Sequence, residues 1–119
     1  MDTSVILDVM ILSVSPQAAQ ELLVRGEVEV IDVREAHEWA AGYIPGARHV
    51  PLSELRAKPR ETLTRDGLVF VCAAGVRSET AARIALANGV ARVYNLTAGM
   101  RGWTKAGLPV AHPELAAAV

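Results

Sequence analysis

The chain of 119 residues contains a single cysteine, Cys72. One thiol excludes an intramolecular disulfide and any two-cysteine redox pair. With no disulfide framework to protect, a cytoplasmic setting is the expectation. Aromatic residues are also scarce, with one Phe, two Tyr and two Trp, so stacking platforms for single-stranded nucleic acid are lacking. No basic stripe or cationic run occurs, and the formal net charge is −1. Neither nucleic acid nor an anionic membrane is therefore an expected partner. No apolar run is long enough to span a bilayer. The N-terminal stretch "VILDVMILSV" (Val5–Val14) is interrupted by Asp8. It has no basic region before it and no small-residue cleavage site after it, so it does not read as a signal peptide. His37, His49 and His112 show no metal-ligand spacing, and no metal is expected.

What remains is enough for one compact domain. Half of the residues are apolar and 21% are charged, the balance of a chain that can build a core. The expected division is a leader over 1–9, one domain over 10–111 and a tail over 112–119. Met10–Val14 reads as a short buried strand. Ser15 then fits an N-cap, Pro16 the first helical position and Gly26 the residue past the helix end. Val28–Arg34 is a β-branched run and hence a strand. A short helix closed by Gly42 follows, then a Pro45–Gly46 turn and a short strand at "RHV". The polar stretch from Leu52 to Gly67 predicts a helical turn or two and then loop. Leu68–Cys72 is the most apolar strand and the candidate for the sheet centre. The helix after it is capped by Ser78 in this reading and stopped by Asn88–Gly89. Arg92–Leu96 is the last strand, and a short helix precedes the tail. Strands alternating with helices over short connections predict a mostly parallel five-stranded sheet with helices on both faces. In such sheets ligands lie off the carboxyl ends of the strands.

Cys72 sits at that end of the best central strand, and so does Asp32 on another. The segment "CAAGVRS" (Cys72–Ser78) has the features that activate a thiol. Small residues and Gly75 let the backbone N–H groups curl around one point. A helix begins there with its positive end inward. Arg77 adds a charge at the rim. A thiol ionises more readily in such a cradle, which suits a thiolate, a persulfide or an oxyanion. The alternative, an inert core cysteine, requires none of the loop, the arginine or the new helix.

These residues resemble a known family. "CAAGVRS" is similar to the active-site loop of single-domain rhodaneses, the thiosulfate sulfurtransferase-like proteins, written CxxGxR[ST]. "VIDVREAHEWAAGYIPGARHVP" (Val30–Pro51) resembles their DVR–GHIPGA signature. "LTAGMRGWTKAGLPV" (Leu96–Val110) resembles their closing segment. The three occur in family order over roughly residues 10 to 110. The resemblance implies a three-layer α/β/α rhodanese-like fold and a rhodanese-like sulfurtransferase of the thiosulfate:cyanide type. Cys72 would become a persulfide, held by a loop of Ala73, Ala74, Gly75, Val76, Arg77 and Ser78. A small sulfur donor, thiosulfate or a persulfide, would load it, and cyanide or a thiol would unload it. No cofactor is implied. The alternative is a sulfur-carrier or binding module on the same fold, acting with a sulfur-relay protein. Phosphatase relatives carry five residues between Cys and Arg. Here four, Ala73 to Val76, intervene, which favours sulfur over phosphate.

Ala73 stands where many members carry a basic residue, predicting weak use of dianionic thiosulfate. Tyr43 replaces the His of "GHIPGA", and Ala98 the first Gly of a GG pair; both positions read as structural. Among supporting residues, Asp32 and Arg34 either position the loop or form a structural ion pair. Glu38 is placed to pair with Arg34. By resemblance Arg101 lies near the site mouth and would offset the charge missing at Ala73.

Overall fold

The computed structural model describes residues 10–113. The leader over 1–9 and the tail beyond residue 113 lie outside the described residues. In chain order the elements are β1 (Leu12–Val14), α1 (Pro16–Val24), β2 (Glu29–Asp32), α2 (Ala36–Ala40), β3 (Arg48–His49), α3 (Leu52–Ala57), α4 (Pro59–Thr62), β4 (Leu68–Val71), α5 (Val76–Ala87), β5 (Val93–Leu96) and α6 (Gly99–Lys105). The five strands form one sheet in the order β1-β5-β4-β2-β3, and every pair is parallel. β4 is the middle strand, as its unbroken apolar run requires of a strand buried on both faces.

The pleat divides the core in two. Along β4, Leu68, Phe70 and Cys72 turn to one face, where they meet Leu55 of α3 and Ala81, Ala82 and Ala85 of α5. Val69 and Val71 turn to the other, where they meet Ala19 of α1 and Met100 and Trp103 of α6. The small alanine face of α5 lets that helix lie close against the sheet. The result is a three-layer α/β/α arrangement. Because α5 follows β4 on one face and α6 follows β5 on the other, the connections diverge at the carboxyl ends of adjacent strands and leave a crevice there.

Local signals act as their chemistry dictates. The Ser15 hydroxyl accepts the Ala18 N–H at 3.1 Å, and Pro16 opens α1. Gly26 adopts φ +72° after it. Two readings need correction. Met10–Val14 is not a buried strand: β1 is an edge strand paired only with β5, Met10 and Leu12 are about half exposed, Ile11 is partly buried against one core cluster, and Val14 alone of the five is buried. Ser78 does not cap α5. That helix starts at Val76 with Gly75 in the cap position at φ +92°, which sends Ser78 one turn inside and fully buries it.

The chain beyond α6 is tied back to the body. The Trp103 indole N–H donates to the Pro109 carbonyl at 2.7 Å. Ala111 and Tyr43 exchange backbone hydrogen bonds at 2.8 and 2.9 Å in an isolated antiparallel bridge. Among the described residues no helix is long and apolar enough to cross a membrane.

Candidate active site

Cys72 immediately follows β4, and its backbone is clamped from the neighbouring connection. The Met100 N–H donates to the Cys72 carbonyl at 2.8 Å, and the Arg101 N–H to the Ala73 carbonyl at 3.2 Å. Two glycines make this approach possible. A Cβ on Gly75 would strike the Thr97 carbonyl oxygen, and one on Gly99 (φ +62°) would strike the Ala73 carbonyl oxygen. Both also hold positive φ, which side-chain-bearing residues adopt at a cost. The cysteine loop is thus locked against the β5–α6 turn by backbone contact.

The Cys72 side chain lies at the base of the loop with 1% of its surface exposed. The Gly75 N–H donates to its Sγ at 3.1 Å, and the Ser78 Oγ lies 3.3 Å away. Burial alone would push the thiol pKa up. The Ser78 hydroxyl and the N–H groups of Ser78, Ala74 and Gly75 outweigh it, and the net shift is downward. A converging set of donors thus favours the anion. Of the loop residues named from the sequence, Gly75 and Ser78 are buried, Ala73 and Arg77 half-buried, and Ala74 and Val76 exposed. The rim is therefore small and apolar, and its polarity comes from the backbone.

Arg77 is arranged differently from expectation. Its guanidinium forks onto the Glu38 carboxylate, Nη1 to Oε1 at 2.6 Å and Nη2 to Oε2 at 2.9 Å. The Arg77 hydrogen bond holds the Glu38 carboxyl down at about 2, and Glu38 in turn raises the guanidinium pKa. The rim charge is neutralised. The expected pairing of Glu38 with Arg34 is replaced: Arg34 reaches only the Glu38 backbone carbonyl, Nη1 to O at 3.2 Å.

Asp32 and Arg34 form a buried ion pair. Arg34 Nε donates to Asp32 Oδ1 at 3.0 Å, Nη2 to Oδ2 at 2.8 Å, and the Arg34 backbone N–H to Oδ1 at 3.0 Å. Arg34 Nη2 also donates to the Gly42 carbonyl at 2.7 Å. The pair thereby fastens the C-terminal half of α2, the helix that presents Glu38 to Arg77. Asp32 and Arg34 are brought to the site only through this chain of contacts. Arg101 is exposed, and its tie to the loop is through its backbone N–H. His49 contacts the Arg34 carbonyl at 2.8 Å and stacks on Trp39, which stacks on Tyr43 at 3.8 Å between ring centres. Tyr43 therefore packs a structural aromatic column.

One residue escaped the sequence reading. Asn95 of β5 is buried, accepts the Ser78 hydroxyl proton at 2.6 Å and donates through Nδ2 to the Gly75 carbonyl at 3.1 Å. The available signal was a lone amide in the apolar strand "VYNL". Among the described residues no three His, Cys, Asp or Glu side chains gather as a metal site would require.

The chain matches the rhodanese-like domain family over residues 15–106. It is 39% identical over 77 residues to the Bacillus subtilis "Putative sulfur carrier protein YrkF", across 65% of this chain and 42% of that one. It thus spans less than half of that relative's length. It is 32% identical over 100 residues to a sulfurtransferase of Allochromatium vinosum, across 84% of this chain and 94% of that one. Its fold superposes on the crystal structure of a rhodanese-related protein from Thermoplasma volcanium with a TM-score of 0.76 and 31% identity, covering 84% of this chain and 97% of the other. The chain belongs to the rhodanese-like domain family.

Proposed function

We propose that this member of the rhodanese-like domain family is a sulfurtransferase in which Cys72 carries the sulfur. The observation that carries the reading is the Cys72 sulfur at the base of a ring of backbone donors, with the Gly75 N–H on it at 3.1 Å and its pKa lowered. The Cys72 thiolate attacks the outer sulfur of a donor such as thiosulfate. A new S–S bond forms, the donor's S–S bond breaks, and sulfite departs with the electron pair. The Cys72 persulfide then carries its charge on the outer sulfur. That atom stands about 2 Å beyond Sγ, one S–S bond length, further out among the loop N–H groups. A nucleophile, cyanide or a thiol, takes the outer sulfur and returns the thiolate. Each half-reaction is covalent catalysis, so ping-pong kinetics are expected.

The loop Ala73–Ser78 is the anion-binding element in this mechanism. Asp32 and Arg34 act by fixing α2, and the catalytic unit is the domain over 10–111. A cytoplasmic setting fits, since a lone functional thiol stays reduced there.

A second reading is favoured by one feature. Arg77 is neutralised by Glu38, and Ala73 and Ala74 bring no charge to the rim. A site so poor in side-chain cations suits a donor that is not dianionic, such as a protein persulfide. The chain would then act as a sulfur carrier with a relay partner. Thiocyanate formation from thiosulfate and cyanide separates the two. Turnover by the wild type and none by Cys72→Ala supports the enzyme. Absent turnover, with sulfur accepted from a protein persulfide, supports the carrier.

A further inference from the structure

Ser78 has one hydroxyl proton and two neighbours that can take it. Oγ lies 2.6 Å from Asn95 Oδ1 and 3.3 Å from Cys72 Sγ. The orientation of the Asn95 amide is not free. Its other end lies 3.1 Å from the Gly75 carbonyl oxygen, which only accepts, so that end is the NH2 group and Oδ1 faces Ser78. With the thiol protonated, every group is satisfied: S–H gives to Oγ, and O–H gives to Oδ1. With the thiolate formed, Sγ accepts only, and the hydroxyl proton must choose. Turning to sulfur strands Asn95 Oδ1, which is buried and meets no other donor among the described residues.

We propose that Asn95 is a positioning residue that sets the thiol–thiolate balance of Cys72 by competing with Sγ for the hydroxyl proton of Ser78. The inference rests on the reading of Cys72 as the reacting group. In the sulfur-loaded state the charge lies on the outer sulfur, Sγ no longer needs the proton, and it returns to Asn95. Unloading recreates the thiolate and calls the proton back. The hydroxyl thus swings between two acceptors once per cycle. The charged groups on the surrounding elements leave room for this control. Arg77 of α5 is cancelled by Glu38 of α2, Asp32 and Arg34 of the β2 side are paired with each other, and Arg101 of α6 is exposed.

The test is the pH dependence of Cys72 alkylation by iodoacetamide in the wild type, Asn95→Ala, Ser78→Ala and the double variant. Removing Asn95 frees the hydroxyl for sulfur. The midpoint should fall by about one pH unit, the worth of one hydrogen bond. In the Ser78→Ala background the same substitution should move nothing. An equal shift in both backgrounds would mean that Asn95 acts through the Gly75 carbonyl alone, and would overturn the proposal. An upward shift or none would do the same.

A second measurement uses the unaltered chain, in case the variants fold poorly. The Asn95 side-chain amide resonance should titrate with the Cys72 midpoint. A resonance unmoved through that midpoint in the wild type contradicts the proposal. Neither measurement needs a sulfur donor. A protein that shows the coupling yet accepts no sulfur would lose the function proposed above and keep this inference.

Discussion

Two loops meet at the carboxyl edge of the sheet, and they are built from opposite materials. The β2–α2 connection and its flanks are held by charged side chains: Arg34 pairs with Asp32 and reaches the backbone of α2, and Glu38 pairs with Arg77. The β4–α5 connection is built of alanine and glycine, and its polarity is that of backbone N–H groups and the Ser78 hydroxyl aimed at one sulfur. Full charges are spent on architecture, and partial charges on chemistry. The division is physically sensible. A guanidinium free in the cradle would hold any anion, whereas fixed amide dipoles favour a single small charge at one point without reorganising.

Breaking the architectural loop should have the largest effect. Asp32→Asn leaves a buried Arg34 facing a neutral amide, and removing one member of a buried pair costs about 3–5 kcal/mol. Chemical denaturation should show that loss, with the alkylation midpoint of the surviving folded protein little changed. Full retention of stability would show that the pair is dispensable. Gly75→Ala attacks the other loop. The new Cβ meets the Thr97 carbonyl at a positive φ, a cost of about 1–3 kcal/mol of backbone strain. Here the expected signature is kinetic: Cys72 alkylation at neutral pH slows as the Gly75 N–H leaves the sulfur. Stability lost with alkylation unchanged would count against the cradle.

Glu38→Gln probes the seam between the loops. The pair is partly exposed, with 34% of the Arg77 side chain and 22% of the Glu38 side chain accessible, so its stability worth is below about 1 kcal/mol. The freed Arg77 charge should lower the KM for thiosulfate by up to about fivefold, equivalent to about 1 kcal/mol. The pH dependence has a definite sign. The Glu38 carboxyl is depressed from 4.5 to about 2 by Arg77. Its contribution is therefore complete above about pH 4.5 and disappears as pH falls through about 2. The stability gap between wild type and Glu38→Gln should be constant at neutral pH and close in acid; a gap that widens in acid would reverse the assignment. The smallest effect is expected from Arg101→Ala, a modest rise in the thiosulfate KM with kcat unchanged. An unchanged KM would remove Arg101 from the account.

The contrast between the loops also explains what the sequence made legible. Cys72, its small-residue loop and the central strand beneath it are consecutive in the chain, and local chemistry revealed them. The Glu38–Arg77 pair joins residues 39 apart and was replaced in the reading by Arg34–Glu38, four apart. That spacing brings side chains together only on a helix, and α2 begins at Ala36, after Arg34. Ser78 looked like a cap because serine is a good one. The left-handed Gly75 starts the helix earlier, and the hydroxyl is carried inward to Asn95 and Cys72. Met10–Val14 reads as buried because four of its five residues are apolar, but burial depends on having a neighbour on each side, a property of strand order.

The most direct test of the central claim is intact mass after incubation with thiosulfate, and with a small persulfide donor, for wild type and Cys72→Ala. The account predicts a gain of one sulfur atom on the wild type alone, removed by cyanide with formation of thiocyanate. No gain from any sulfane donor, or an equal gain on Cys72→Ala, would contradict it.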